Sequence, residues 1–284
     1  MLATSGPLPA DAQRWAFEPK WDGFRAMVHS DGRRLRVLSR RGTDLAGRLP
    51  ELAPLAGLLP AGTTLDGELV VVDADGRVDF EAMRRRGFGQ SAPGRLLFVA
   101  FDVVAVARSE VMARRWDARR TMLVDLGLDG AAWSTTPSHS GDGTILFEVT
   151  RAAGIEGVVA KRLDAPYRPG VRTTAWVKTK HFDSAQFDVL GVAPTPEGRA
   201  ALVLGWRSAG APARYAGRVE WGFTRERFEE LIARAGLTET SPTAGWHPPG
   251  VVFLEPGVVA EVRYLAGSQL RHATLRSLSF EPEE

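Results

Sequence analysis

Apolar and polar positions in residues 15–72 alternate in short runs broken by turn signals, a pattern that predicts half-buried strands. FRAMVHS (24–30), LRVLS (35–39) and TLDGELVVVD (64–73) read as strands, with Asp31-Gly32 as the hairpin turn between the first two. The dense apolar run RLLFVAFDVVAV (95–106) reads as a buried strand. Helices are predicted over 45–59, 80–86, 114–126 and 144–153. The strand EGVVAKR (156–162) follows, then a loop over 164–175 punctuated by Pro166, Pro169 and Gly170, then a short strand, WVKTK (176–180). Residues 1–14, rich in Pro, Ala and Ser, read as an arm.

The pattern changes near residue 184. Strands are predicted over 187–192, 200–206, 213–219, 258–265 and 270–278, with one helix over 224–235 that Thr224 would cap. Five strands and one intervening helix predict a small Greek-key barrel such as an OB fold. The expected class is therefore α+β, with one domain over residues 1–184 and a second over 185–284.

Composition narrows the function classes. A chain of 284 residues accommodates two domains, and its apolar and charged fractions are those of an ordinary globular protein. No apolar run is long enough to span a membrane, and the N-terminus shows no secretory signal. The absence of cysteine excludes disulfides, thiolate zinc sites and thiol nucleophiles, and fits a cytoplasmic protein. A net charge of +2 does not by itself imply nucleic acid. The arginine clusters at 33–36, 40–41 and 84–86 read first as solvated surface.

The basic residues are more informative by type. Of 36, only four are lysine: Lys20, Lys161, Lys178 and Lys180. A lysine in so arginine-rich a chain points to a place where Arg cannot substitute, because only Lys can lose its proton and act as a nucleophile. Lys20 lies in EPKWDGFR, where Asp22-Gly23 allows a tight turn straight after it. Lys178 and Lys180 are two apart on a predicted strand and so share one face, where an anion such as a phosphate chain would offset their charge. Glu68 and Glu156 each adjoin a glycine at a predicted strand start, and carboxylates are the ligands magnesium prefers. Taken singly, each feature has a plainer reading: a charged hairpin end, a turn carboxylate, a solvated edge strand. Together they describe attack by a lysine on the α-phosphate of a nucleoside triphosphate, with the neighbouring cations and a metal favouring the neutral amine.

In their order along the chain these peptides resemble the motifs of the ATP-dependent DNA ligases, within the covalent nucleotidyltransferase superfamily, and most of all the compact ligases of bacterial end-joining. The resemblance implies an ATP-grasp-like adenylation domain of antiparallel sheets with helices, followed by an OB-fold barrel. It implies Lys20 as the adenylated nucleophile and Glu18, Arg25, Arg40, Glu68, Phe101, Arg172, Lys178 and Lys180 as nucleotide contacts, with Phe101 stacking on adenine. Glu68 and Glu156 would hold Mg²⁺ or Mn²⁺, and Arg41, Arg271 and Arg276 would contact DNA or pyrophosphate. Lys161 has no firm assignment, since Arg162 beside it could share its role. The last family motif is incomplete: LRHATLRSLSFEPEE keeps Arg271, His272 and Arg276 but lacks the closing Arg-x-Asp-Lys, so self-adenylation is expected to be slow, or served by Arg271 and Arg276 instead, with sealing of a pre-adenylated nick depending on the motif less.

The implied partner is nicked double-stranded DNA, with Ku-like and polymerase proteins as end-joining partners and the chain itself a monomer. There is no room in 284 residues for the large N-terminal DNA-binding domain of bigger ligases or for a fused polymerase or nuclease. Two other readings stand beside this one. An RNA ligase or capping-type nucleotidyltransferase would share the lysines and be separated by its nucleotide and end preferences. A sealing-deficient DNA-binding relative would be separated by its failure on pre-adenylated nicks.

Overall fold

Strands carry most of the structure, a computed structural model that describes residues 1–195, 197–206, 213–239, 241, 243, 247–266 and 270–280. The chain divides into two units, Met1–Lys180 and His181–Glu284. The boundary expected at 184/185 falls inside the continuous strand Phe182–Pro194. The division therefore lies at 180/181, ahead of that strand.

The first unit contains two sheets. One has the strand order Leu2–Ser5, Arg172–Lys180, Gly157–Arg162, Trp15–Pro19, His139–Ser140. The other runs Leu35–Ser39, Phe24–Ser30, Thr63–Val72, Arg95–Val106, Ser109–Glu110, with Trp133–Thr135 added in parallel beside Arg95–Val106. EPKWDGFR joins them: Trp15–Pro19 ends in the first sheet and Phe24–Ser30 begins in the second. The sheets share an apolar cluster of Val104, Tyr167 and Trp176, against which Phe101 and Met27 pack.

Three local expectations are corrected. Residues 45–59 do not form one helix but two 3₁₀ turns, Ala46–Arg48 and Pro50–Leu52, and a single helical turn, Leu55–Leu58. Pro50 and Pro54 lack the N–H that a continuous helix needs. The apolar spacing is still used, because Leu45, Leu49, Leu52, Leu55 and Leu59 are all buried in the core of the second sheet. The expected loop gives up residues 172–175 to the strand Arg172–Lys180, which pairs with Gly157–Arg162 on one side and Leu2–Ser5 on the other. Glu68 lies within the strand Thr63–Val72, not at its start.

Among its described residues the second unit is a seven-stranded sheet with one helix, Arg225–Arg234, whose Arg227 amide donates to the Thr224 hydroxyl at 3.4 Å. Two short strands, Leu237–Thr238 and Val252–Leu254, add to the five expected. The last strand is Thr274–Phe280, later than anticipated, and the acidic residues 281–284 lie outside the described residues. No helix among the described residues is long and apolar enough to cross a membrane.

Candidate active site

The period of two along a strand selects one face of the first sheet. Glu18 is opposite Val159, which is opposite Lys178, while Lys161 faces Trp176 and Gly157 faces Lys180. Glu18, Lys161, Trp176 and Lys178 therefore share a side, and they line one cavity of about 140 Å³. Lys20, just past the end of its strand, lines it too, as do Trp21, Arg25, Glu68 and Phe101. Arg25 and Glu68 are cross-strand partners in the second sheet.

Two motif glycines allow this approach. A Cβ on Gly23 would run into the Leu69 carbonyl oxygen, so only glycine lets the turn after Lys20 lie against the strand that carries Glu68. Gly157 has φ +154°, and a Cβ there would meet the Thr179 carbonyl oxygen. Its own carbonyl accepts the Lys20 amide at 2.8 Å, which ties the Lys20 backbone to the strand after Glu156.

Electrostatics sort the charged groups. Glu156 is paired with the Lys20 ammonium and with Lys180 Nζ at 2.6 Å. Burial pushes its carboxyl up, but the two lysines overcome this and hold it below the ordinary glutamate range. Glu68 is in the opposite position: burial pushes its carboxyl up to about 8, against the pull of Lys20 and Arg25. Burial, then the charges of Lys180, Lys20 and Arg172, lower the Lys178 ammonium. Arg25 is not a free cation. Its Nε and Nη2 donate to the two Asp66 carboxylate oxygens at 2.9 and 2.6 Å, and Tyr167 Oη donates to Asp66 at 2.7 Å.

A family model described as ATP dependent DNA ligase domain matches residues 5–180. DNA ligase C1 of Mycolicibacterium smegmatis is 32% identical over 97% of this chain and 87% of its own length. The multifunctional non-homologous end joining DNA repair protein LigD of Mycobacterium tuberculosis is 35% identical over 98% of this chain. This chain spans 38% of that protein's length. A solved mycobacterial DNA ligase D, complexed with ATP and MES, superposes with a TM-score of 0.61 at 33% identity, covering all of this chain and 95% of that one. The chain belongs to the ATP-dependent DNA ligase family.

The residues expected from the ligase motifs do not all meet. Glu18, Lys20, Arg25, Glu68, Phe101 and Lys178 line the cavity. Lys180 and Glu156 join it through the Lys20 pair. Arg172 is exposed at the start of its strand, where its Nη1 donates to the Ala3 carbonyl at 2.6 Å and its charge reaches Lys178. Arg40 and Arg41 are exposed on the turn after Leu35–Ser39, and neither lines the cavity. Arg271 and Arg276 belong to the second unit, where Arg276 is exposed and the Arg271 carbonyl accepts from the Leu265 amide.

Lys161 is the clearest revision. It is buried, and Nζ bonds Glu18 Oε2 at 2.6 Å and the Phe101 carbonyl at 2.7 Å. The ammonium also sits 4.6 Å from the Phe101 ring centre and 4.5 Å from that of Trp176, within cation–π range. Arg162 does not share this role, because it pairs with Asp164 at the surface. The sequence reading missed Arg120, whose Nη1 is 3.6 Å from Glu18 Oε1, and the cavity-lining indoles Trp21 and Trp176. Only the aromatic in WVKTK, next to paired lysines, gave any signal for one of them.

Proposed function

We propose that this chain seals 5′-phosphate/3′-hydroxyl nicks in double-stranded DNA through a lysyl-AMP formed on Lys20. The observation that carries the reading is the convergence on one cavity of the lysine of the KxDG turn with an acceptor carboxylate, a cavity-lining aromatic ring and a phosphate-suited lysine. The donor set fits ATP. Glu18 Oε1 is buried without a hydrogen bond, Phe101 offers a ring, and Lys178 offers positive charge. The Lys20 amine bonds to the α-phosphorus and pyrophosphate leaves. AMP then passes to the 5′-phosphate of the nick, the 3′-hydroxyl attacks that phosphorus, and AMP departs. Lys20 starts from an ion pair with Glu156, so the pair must open before the amine can attack.

The carboxylates also fit a hard divalent cation. Glu68 and Glu156 would hold Mg²⁺ or Mn²⁺, which would supply positive charge at the phosphates. Among the described residues no cluster of three or more metal-type side chains exists, in keeping with magnesium's habit of taking one or two carboxylates with phosphate and water.

The first unit acts as the adenylation domain in this reading, with Arg25 and Arg172 supporting the nucleotide site, and Arg40 and Arg41 serving ribose or nick phosphate. The second unit is an OB-fold barrel, a reading supported by its antiparallel strands and single helix. Arg271 and Arg276 would contact DNA or pyrophosphate from there. Similarity to LigD proteins supports a role in end-joining beside Ku-like and polymerase partners.

The test is incubation of deadenylated protein with α-labelled ATP. Covalent label on the wild type and none on Lys20→Ala is expected. An unlabelled wild type, or undiminished label on the variant, overturns the reading.

A further inference from the structure

We propose that Arg120 is a positioning residue for nucleobase selection, holding the Glu18 carboxylate so that Oε1 accepts from the 6-amino group of adenine. The inference rests on the ATP site proposed above and adds a residue outside the cavity that governs which base enters it.

Glu18 is gripped unevenly. Oε2 is bonded by Lys161 at 2.6 Å. Oε1 faces Arg120 Nη1 at 3.6 Å, too far for a hydrogen bond, and both atoms are buried without another partner. An acceptor with this little exposure is costly unless something completes it. Glu18 lines the cavity and Arg120 does not, so a bound group can complete Oε1 from the cavity side.

Arg120 is fixed independently of Glu18. It lies on the helix Trp116–Asp125, and its Nη2 donates to the Thr136 carbonyl at 2.6 Å. The Thr136 hydroxyl accepts from the cavity-lining indole of Trp21 at 3.0 Å. Arg120 is thus anchored to the same residue that steadies one wall of the cavity. The nearby Asp102 charge is taken up by Arg119, whose Nε and Nη2 bond its two oxygens at 2.8 and 2.9 Å. That leaves Lys161 and Arg120 as the cations facing Glu18.

The chemistry follows from what a carboxylate can do. An ionised carboxylate only accepts, so it suits the 6-amino group of adenine and repels the 6-oxo group of a guanine or hypoxanthine. Burial pushes the Glu18 carboxyl upward, and Lys161 and then Arg120 oppose this. Without Arg120 the carboxyl moves toward its neutral form, which can donate. Selection between 6-amino and 6-oxo bases then relaxes. A site built to bond a substrate N–H rejects analogues that lack it far more strongly than an apolar pocket does.

The test uses three probes on the full chain: ATP, inosine triphosphate with its 6-oxo group, and purine ribonucleoside triphosphate with no 6-substituent. Binding is read by quenching of tryptophan fluorescence, which Trp21 and Trp176 in the cavity walls support, and self-labelling is followed in parallel. The wild type should prefer ATP over the unsubstituted purine by about 10- to 100-fold, the range for a hydrogen bond to a charged group. Arg120→Met should cut that preference about tenfold by weakening ATP alone, with the unsubstituted purine unchanged within about twofold as an internal control of folding. Arg120→Lys should fall between. Adding Arg120→Met to Glu18→Gln should change the preference no further, since the arginine acts through that carboxylate. The inference fails if Arg120→Met leaves the preference intact, weakens all three probes equally, or adds its full effect to Glu18→Gln. A wild type that neither binds ATP nor labels itself would instead overturn the site's reading, and this inference with it.

Discussion

Replacing Lys161 by Met removes the one cation that both bonds Glu18 and sits between two aromatic rings. Glu18 is 2% exposed and Lys161 1%, so the carboxylate left behind cannot recover its lost partner from water. Breaking a buried pair from one side costs about 3–5 kcal/mol. At about 2–4 °C per kcal/mol for a domain of this size, thermal unfolding should fall by about 6–20 °C. The assay is differential scanning calorimetry of the full chain, following the transition of the first unit, with urea unfolding as a second measure. Adding Glu18→Gln to Lys161→Met should recover at least about 1 kcal/mol, because the uncompensated charge is then gone. Lys161→Arg keeps the charge but forces a larger head group between the rings, an overpacking worth about 1–3 kcal/mol. A loss below about 1 kcal/mol in Lys161→Met, or a double variant as unstable as the sum of the singles, would refute the reasoning.

Gly23→Ala should destabilise by about 1–3 kcal/mol and slow self-labelling, since its Cβ would strike the Leu69 carbonyl and push the Lys20 turn off the Glu68 strand; wild-type labelling rates would contradict this. Lys20→Arg should abolish labelling, because a guanidinium does not give up its proton, whereas Lys178→Arg should keep it within about tenfold, because Arg also binds phosphate; measured initial labelling rates separate the two. Asp44 accepts the Val37 and Ala46 amides at 3.1 and 3.0 Å. Burial is the largest single influence and raises its carboxyl, but those amides and Arg36 together bring the balance below the ordinary aspartate value. Its contribution is therefore complete above that ordinary value and is lost as pH falls through the depressed one. Amide exchange at Val37 and Ala46 should quicken over that acid range in the wild type, and Asp44→Asn should already exchange faster at neutral pH.

Much of the architecture was legible because it depends on local pattern. The run RLLFVAFDVVAV forms the strand Arg95–Val106, buried on both faces over most of its length, as its dense apolar character requires, with the one acid inside it, Asp102, paired to Arg119. Lys178 and Lys180 share a side because strand geometry admits nothing else. Where the reading slipped, a local rule met a competing one. Leucine spacing over 45–59 favoured a helix, and Pro50 and Pro54 broke it while the leucines at 45, 49, 52, 55 and 59 stayed buried. The segment over 172–175 carried loop signals, yet the parallel strand Leu2–Ser5 pairs with Arg172 and Thr173 and holds it extended.

The site was legible only in part, because a motif names a residue without saying what opposes it. Lys20 was expected among cations, and the structure adds Glu156, which holds its ammonium in an ion pair and gives the site a charge balance that spacing cannot reveal. Arg120 follows Arg119 on one helix, and nothing in the sequence separates them. One is fully engaged by Asp102 while the other stops just short of Glu18. Lys161 shows how far composition carries. Scarcity of lysine pointed to a place unsuited to Arg, and the structure sets the Lys161 ammonium between Phe101 and Trp176, bonded to Glu18. A rare lysine in an arginine-rich chain thus marks a constraint. Whether that constraint is chemical or steric is decided by its surroundings, and these differ: Lys20 lines the cavity beside Glu156, while Lys161 is buried against two rings.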